Sequence, residues 1–556
     1  MTSVLETVET DVLVLGGGVA GHRAAVAARE LGRKVLLAYP AHGASPFLLG
    51  VNAPLGVQEY GDSEEAYFHD VVAAGEGLND RPLVRTLASQ ASVAFRELDA
   101  LGVPFARDKD RVLLRHLSGN AFPRSLYVPE GTGRALLRHL DARCRELEVR
   151  IHSGWRALTL LVDGGSVVGA VLVRRDPEQA VAVRAAAVVL ATGGIGRLYH
   201  DSTYPADVLA DSYALAARAG AALIDMEFVQ FEPLIVVHPA GCRGMEIPTA
   251  MLGDGAHLLN AQGERFMFRT NPAHGELLIE KGRMALAIQA EIDAGRGLPD
   301  GTVWVDTTVM PRPALEGYLT HCRRLRAAGL DPALERPRIR PAAHSLMGGV
   351  RIDPEGWSGI PGLYAGGEAA GGVHGASRIA GNSGADVVVF GAVAGRGAAG
   401  GASSARSLRG WNRLLEAHSL ASFRLPDGEA FGSETTLEAL RTIMSRHLGL
   451  SRDGDGLRLA ADALRGLEQQ LQAASTAPAP SWAAADEALR VRNALLAARM
   501  IAESALRRTE SRGAHQRRDH PTQDDPRWLR HIACRLDDAG TLILDELPIR
   551  LTSSEE

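Results

Sequence analysis

Val12–Leu37 reads VLVLGGGVAGHRAAVAARELGRKVLL. The apolar run Val12–Leu15 is short and branched, which suits a buried parallel strand. It passes directly into Gly16, Gly18 and Gly21, a complete G-x-G-x-x-G. Apolar residues then recur at helical spacing through Ala24, Ala28 and Leu31, and Val35–Leu37 supplies a second buried strand. This order of strand, glycine turn, helix and strand is a dinucleotide-binding unit. Gly16 permits the tight turn, Gly18 lets a pyrophosphate approach the backbone, and Gly21 lets the helix lie against the strand. Free N–H groups at the helix start face the phosphates. An acid usually ends the second strand and binds the adenosine ribose, but Ala38-Tyr39-Pro40 contains none. The glycine motif alone therefore does not separate FAD from NAD.

The chain has 556 residues, 46% of them apolar, and a net charge of −6. That length predicts several domains around a large core, and the charge gives no reason to expect a nucleic-acid partner. The first residues lack the charged head and apolar stretch of a signal peptide. No apolar run is long enough to span a membrane. Cys144, Cys242, Cys322 and Cys534 are far apart and give no zinc or iron–sulfur spacing. These features predict a cytoplasmic protein with reduced, buried thiols. Any iron–sulfur centre would sit on another chain.

Further along, residues 63–104 read as amphipathic helix, and residues 149–189 as a β-meander around Asp163-Gly164-Gly165. Ala185–Gly194, AAAVVLATGG, predicts a strand returning to the nucleotide sheet, and Asp207–Gly220 a helix carrying Asp211. Residues 234–343 lack glycine-rich nucleotide signals and read as an inserted α+β domain, with a strand at Val303–Asp306 and helices near 276–294 and 313–328. Glycine-rich segments return at His344–Gly349, Gly362–Glu368 and Val373–Ser383. The nucleotide domain is thus expected to be discontinuous, over 1–233 and 344–409, ending in a Gly/Ser linker at Gly400–Arg409. Residues 410–556 are expected to be mainly helical. Leu440, Met444 and Leu448, and then Val491, Leu495, Leu496 and Met500, form stripes read as core.

Seven ordered segments carry a resemblance. They are GGGVAG near the start, ATGG at 191–194, MEFVQF at 226–231, GDGAHLLNAQGERFM at 253–267, HSLMGG, GLYAGGEAAGGVHGASRIAGNS, and TESRGAHQRRDHP at 509–521. Together they resemble the flavoprotein subunits of succinate dehydrogenase and fumarate reductase, a superfamily that includes L-aspartate oxidase and the adenylylsulfate reductase α subunit. The resemblance implies an α/β fold: a Rossmann-like FAD-binding domain, an inserted α+β capping domain and a C-terminal helical domain. It also implies FAD as cofactor. Gly16, Gly18 and Gly21 would hold the pyrophosphate, Thr192 and Gly193 would line the site, and Asp211 would lie close to it. Glu368 would bind ribityl or ribose hydroxyls. Asn382 and Ser383 would start a helix facing the flavin, whose dipole favours the negative charge of the reduced form. Some relatives attach FAD through a histidine in Ser-His-Thr. Here that position falls near Ser45 in GASPFLL, and although His42 lies close the pattern is missing, so non-covalent FAD is expected.

The resemblance implies hydride transfer beside a carboxylate on a small substrate. Arg378 would clamp that carboxylate through two parallel hydrogen bonds, and His344 would bind it as well. Two positions depart from the family pattern. Glu232 stands where the family writes the histidine of F-H-P, so a carboxylate replaces a carboxylate donor. It would repel a second substrate carboxylate, hold an amine or hydroxyl, or act as a base if burial raises its pKa. Leu252 aligns with the family's proton-relay arginine, and Arg243 is the nearest candidate to replace it. The expected function is therefore an FAD-dependent oxidoreductase with an altered substrate pocket. The rival readings are an L-aspartate oxidase-like amine oxidation, a flavin electron-transfer subunit paired with an iron–sulfur protein, and a catalytically silent flavin-binding scaffold.

Overall fold

Strand Glu6–Leu15 lies inside a seven-stranded sheet, between Val35–Tyr39 and the long strand Glu178–Leu190, parallel to both. The computed structural model describes residues 5–56, 61–129, 131–402, 410–426 and 432–552. Val12, Leu13 and Val14 are fully buried, as a parallel strand covered on both faces requires. Beyond Val35–Tyr39 lies Arg150–Ser153, also parallel. Glu178–Leu190 forks along its length. Its first part pairs antiparallel with Ser166–Arg175, which continues to Arg156–Asp163, the meander read from the sequence. Its last residues, Val188–Leu190, pair in parallel with Leu363–Ala365. The second glycine-rich block thus returns to the sheet formed by the first. Helices Val19–Glu30 and Asn382–Gly401 pack against each other, and both lie against this sheet.

Residues 234–339 hold an apolar core of their own, with Leu234, Leu252, Phe266, Ile288 and Ile339 among its members. A four-stranded antiparallel sheet, ordered Val229–His238, Arg338–Leu346, Val303–Asp306 and His257–Leu259, carries it. The two outer joints differ from the sequence reading. Residues 233/234 and 343/344 fall inside strands Val229–His238 and Arg338–Leu346, which pair with each other. The chain therefore enters and leaves this region through one two-stranded connection.

Other elements also differ in extent. The helix read over 63–104 is two helices, Glu64–Ala74 and Arg81–Ala100, with buried Asp80 at the N-cap position of the second. Arg312–Glu316 and Leu319–Ala327 replace the single helix expected over 313–328, and Lys281–Asp293 begins after the expected start at 276. The Gly/Ser linker lies largely outside the described residues; Gly400 and Gly401 still belong to helix Asn382–Gly401. Helices Ser433–His447, Gly454–Ala474 and Trp482–Arg507 bury both apolar stripes. After them, strands Arg530–Leu536 and Leu542–Pro548 extend a small sheet begun by Leu223–Ile224, Gly349–Arg351 and Ala370–Gly371. Among the described residues no helix is long and apolar enough to cross a membrane.

Candidate active site

The glycine turn is held by close backbone approach. Gly16 has φ +123°, and a Cβ there would lie 2.1 Å from the Ala191 carbonyl oxygen. A Cβ on Gly21 would lie 1.8 Å from the carbonyl oxygen of Gly16, so no side chain fits at either position. The first helical N–H is not left free, because Val19 N donates to Ser45 Oγ at 2.9 Å. Gly16, Gly18, Thr192, Gly193, Asp211 and Ser383 line one cavity beside this turn, and Glu368 reaches it too. Gly21 and Asn382 lie behind the wall rather than on it.

Each polar member is fixed by a neighbour. Thr192 Oγ1 lies 2.6 Å from Ser212 Oγ, which donates to the Gly193 carbonyl at 2.7 Å. Asp211 accepts from Arg156 at 2.7 Å and from Asn493 at 3.0 Å. Glu368 Oε1 accepts from Tyr204, from Ser345 Oγ at 3.2 Å and from Leu346 N at 3.0 Å. Burial raises its pKa above the usual carboxylate range, against these donors. Asn382 opens the 20-residue helix Asn382–Gly401. Its Oδ1 accepts from Asn52 and from Tyr67, both at 2.7 Å, while among the described residues its buried Nδ2 has no partner.

A second cavity, about 2140 Å³, opens from the same place and shares Ala44, Leu48, Tyr204, Glu368 and Ser383 with the first. Its lining brings together His344, Arg378 and Glu232. His344 Nδ1 is 3.1 Å from Thr203 Oγ1. Burial, helped by the Arg378 charge, lowers the His344 pKa to about 3, so the ring is neutral at pH 7. Arg378 donates to the Ile379 carbonyl at 3.2 Å, and among the described residues its buried Nε has no partner.

Two residues absent from the sequence reading complete this lining. Lys281 Nζ, at the start of helix Lys281–Asp293, donates to Glu232 at 2.6 Å and to Glu246 at 3.3 Å. Burial and the Glu246 charge raise the Glu232 pKa to about 7, against the pull of Lys281. Burial also works to raise Glu246, but Lys281, His344 and a hydrogen bond with Glu232 hold it below the usual range. The two carboxyl groups and one ammonium thus hold a proton that leaves near neutral pH, chiefly from Glu232. The available signal was compositional. The chain contains three lysines, Lys34, Lys109 and Lys281, against 57 arginines. Lys281 is also the one in the apolar-flanked LLIEKGRMALAI.

Neither the aligned position, Leu252, nor the one candidate replacement, Arg243, joins this group. Leu252 is 4% exposed and belongs to the apolar core of residues 234–339 rather than to the cavity wall. Arg243 reaches the cavity rim but is half-exposed and paired with Asp201 at 2.5 Å.

Residues 11–383 match the FAD binding domain family, and residues 437–555 match the fumarate reductase flavoprotein C-terminal family. The chain belongs to the succinate dehydrogenase/fumarate reductase flavoprotein family. The fumarate reductase flavoprotein of Mycobacterium tuberculosis is 33% identical, over 98% of this chain and 98% of that protein. L-aspartate oxidase of Caulobacter vibrioides is 36% identical, over 94% and 96%. A point variant of the E. coli quinol fumarate reductase chain FrdA superposes with TM-score 0.89 at 28% identity, covering 99% of this chain and 98% of that one. Adenylylsulfate reductase of Archaeoglobus fulgidus, at 19% identity and TM-score 0.79 over 99% and 98% of the two chains, shares the fold.

This flavoprotein is an FAD-dependent oxidoreductase, and its residues fit the cofactor. The cradle at Gly16 and Gly21 admits no side chain, the two cavities join near Ser383, and among the described residues the buried Nδ2 of Asn382, next to Ser383, has no partner.

Proposed function

We propose that the chain exchanges a hydride between FAD and a small molecule bearing one clamped carboxylate, in a pocket altered from that of the dicarboxylate enzymes. FAD is proposed to lie, non-covalently, along Gly16, Gly18, Gly21, Thr192, Gly193, Asp211 and Glu368, with Asn382 and Ser383 at its flavin end. Bound FAD supplies two-electron hydride exchange with a substrate carbon. Arg378 grips the carboxylate, and its unpartnered Nε is one donor free for that purpose. His344, neutral at pH 7, adds a hydrogen bond without a second charge. Glu232 exchanges the proton on the neighbouring carbon, because a pKa near 7 suits both uptake and release at neutral pH. Lys281 holds that carboxyl in place, and Glu246 shares its proton.

The observation that carries this reading is the meeting of Arg378, His344, Glu232 and Lys281 in the lining of one cavity. A second reading is amine oxidation like that of the L-aspartate oxidase relatives. Glu232 and Glu246 together favour it, since two carboxylates at one end of a pocket suit a substrate ammonium. Several relatives are named as components of larger reductases, which supports an electron-transfer partner, iron–sulfur in type, that would exchange electrons with the flavin.

Anaerobic flavin spectroscopy tests the reading. Amino, hydroxy and saturated acids are added to the oxidised protein, and fumarate and other enoates to the photoreduced protein. A monocarboxylate that bleaches or reoxidises the flavin faster than succinate or fumarate supports an altered pocket. Faster turnover of fumarate overturns it, and bleaching by L-aspartate with peroxide on admitting air moves the assignment to amine oxidation.

A further inference from the structure

Strand Val35–Tyr39 ends without the acid that normally meets the adenosine ribose in a strand–turn–helix dinucleotide site. The residue at that end, Tyr39, is committed elsewhere. Its ring packs over the glycine turn so closely that a Cβ on Gly17 would lie 2.3 Å from Tyr39 Cγ. It also faces two imidazoles, with ring centroids 5.7 Å from His22 and 5.2 Å from His42. Each histidine grips a carbonyl of the turn: His22 Nδ1 lies 3.0 Å from Gly18 O, and His42 Nδ1 lies 2.8 Å from Gly17 O.

These contacts fix the chemistry of His42. A carbonyl only accepts, so Nδ1 carries the hydrogen, and Nε2 of the neutral ring presents a lone pair. His42 lines the cavity of the glycine turn, between Ala41 and Gly43, and among the described residues its Nε2 has no protein partner. Ser45, the other polar side chain on this stretch, already accepts from Val19 N. His22 sits behind the turn, fully buried and off the cavity. An exposed ring that lines the cavity just beyond the second strand is therefore present three residues later than the usual carboxylate, with an acceptor nitrogen at hand.

We propose that His42 is the ligand of the adenosine ribose of FAD in this chain, its Nε2 accepting a hydrogen bond from a ribose hydroxyl. The test is FAD and FMN affinity of the apoprotein, read from flavin fluorescence. His42→Ala removes both ring contacts. His42→Asn keeps an amide donor for the Gly17 carbonyl while removing the outward Nε2 and the ring packed on Tyr39. Both variants are expected to weaken FAD about 3- to 10-fold, the effect of one hydrogen bond. FMN, which lacks the adenosine, should bind both variants as it binds the wild type. Unchanged FAD affinity in His42→Asn overturns the proposal, as does equal weakening of FMN and FAD, which marks damage to the turn. Failure of the wild-type apoprotein to take up FAD would instead count against the cofactor assignment itself.

Discussion

Two buried ionic clusters flank the large cavity, and they are built on opposite terms. In the C-terminal cluster, Arg508 donates to Glu227 at 2.7 Å, to Glu510 at 2.9 Å and to the carbonyls of Trp528 and Arg530. Arg512 donates to both oxygens of Glu510 and to Asp525. The side chains of Arg508, Arg512, Glu227 and Glu510 are fully buried, and cations match anions. Such a network fixes geometry: here it holds the TESRGAHQ stretch so that Gly513 and Ala514 reach the cavity wall. On the cap side, two carboxyl groups share one lysine, and one of them titrates near neutral pH. Burial of charge is common to both. Balance makes the first a scaffold, and imbalance leaves the second a movable proton.

The largest effect should come from breaking the balanced cluster. Arg508→Met leaves Glu227 and Glu510 without their shared cation, and should cost about 3–5 kcal/mol in denaturant unfolding. Next is His531, between Asp225 at 2.7 Å and Asp80 at 3.3 Å. Burial disfavours its charge, but the two carboxylates override it and raise the pKa to about 9. A raised pKa means that its stabilisation is complete below the ordinary histidine value and is lost as pH rises through about 9. Stability should therefore fall by about 3 kcal/mol across that window, and His531→Gln should abolish the slope.

Beside the lysine-bridged pair, Arg378→Met should lower kcat/KM about 100-fold or more while flavin content stays unchanged, since one pre-organised donor is worth that much. Glu232→Gln should lower turnover about 100-fold and remove an inflection near pH 7, with little change in unfolding free energy. An Arg508 variant that kept its stability, or a Glu232 variant that lost it, would reverse the roles assigned to the two clusters.

The sequence exposed these regions unequally. The glycine turn was readable because one short stretch contains its strand, its turn and its helix. The local motifs HSLMGG and GASRIAGNS single out His344 and Arg378, and both line the large cavity. Lys281 and Glu246 were not, because they meet Glu232 from separate segments, and only the fold joins them. The reading of Leu252 as a lost charge looked at one aligned position, whereas the ammonium enters from the start of another helix. The same locality limit explains the joints at 233/234 and 343/344. A strand pair that crosses a boundary has no signature within either strand. The helix break before Arg81, by contrast, has local causes, because Glu76 and Gly77 adopt positive φ after the first helix and Pro82 stands in the first turn of the second.

The central claim, that the cap-side cluster carries a dissociable proton on Glu232, has a direct test that needs no substrate. Infrared titration of the flavin-loaded protein reads the carbonyl band of a protonated carboxyl group. The account predicts a band that disappears as pH rises through about 7 and is absent from Glu232→Gln. A wild type without such a band, or a variant that retains it unchanged, would contradict the account.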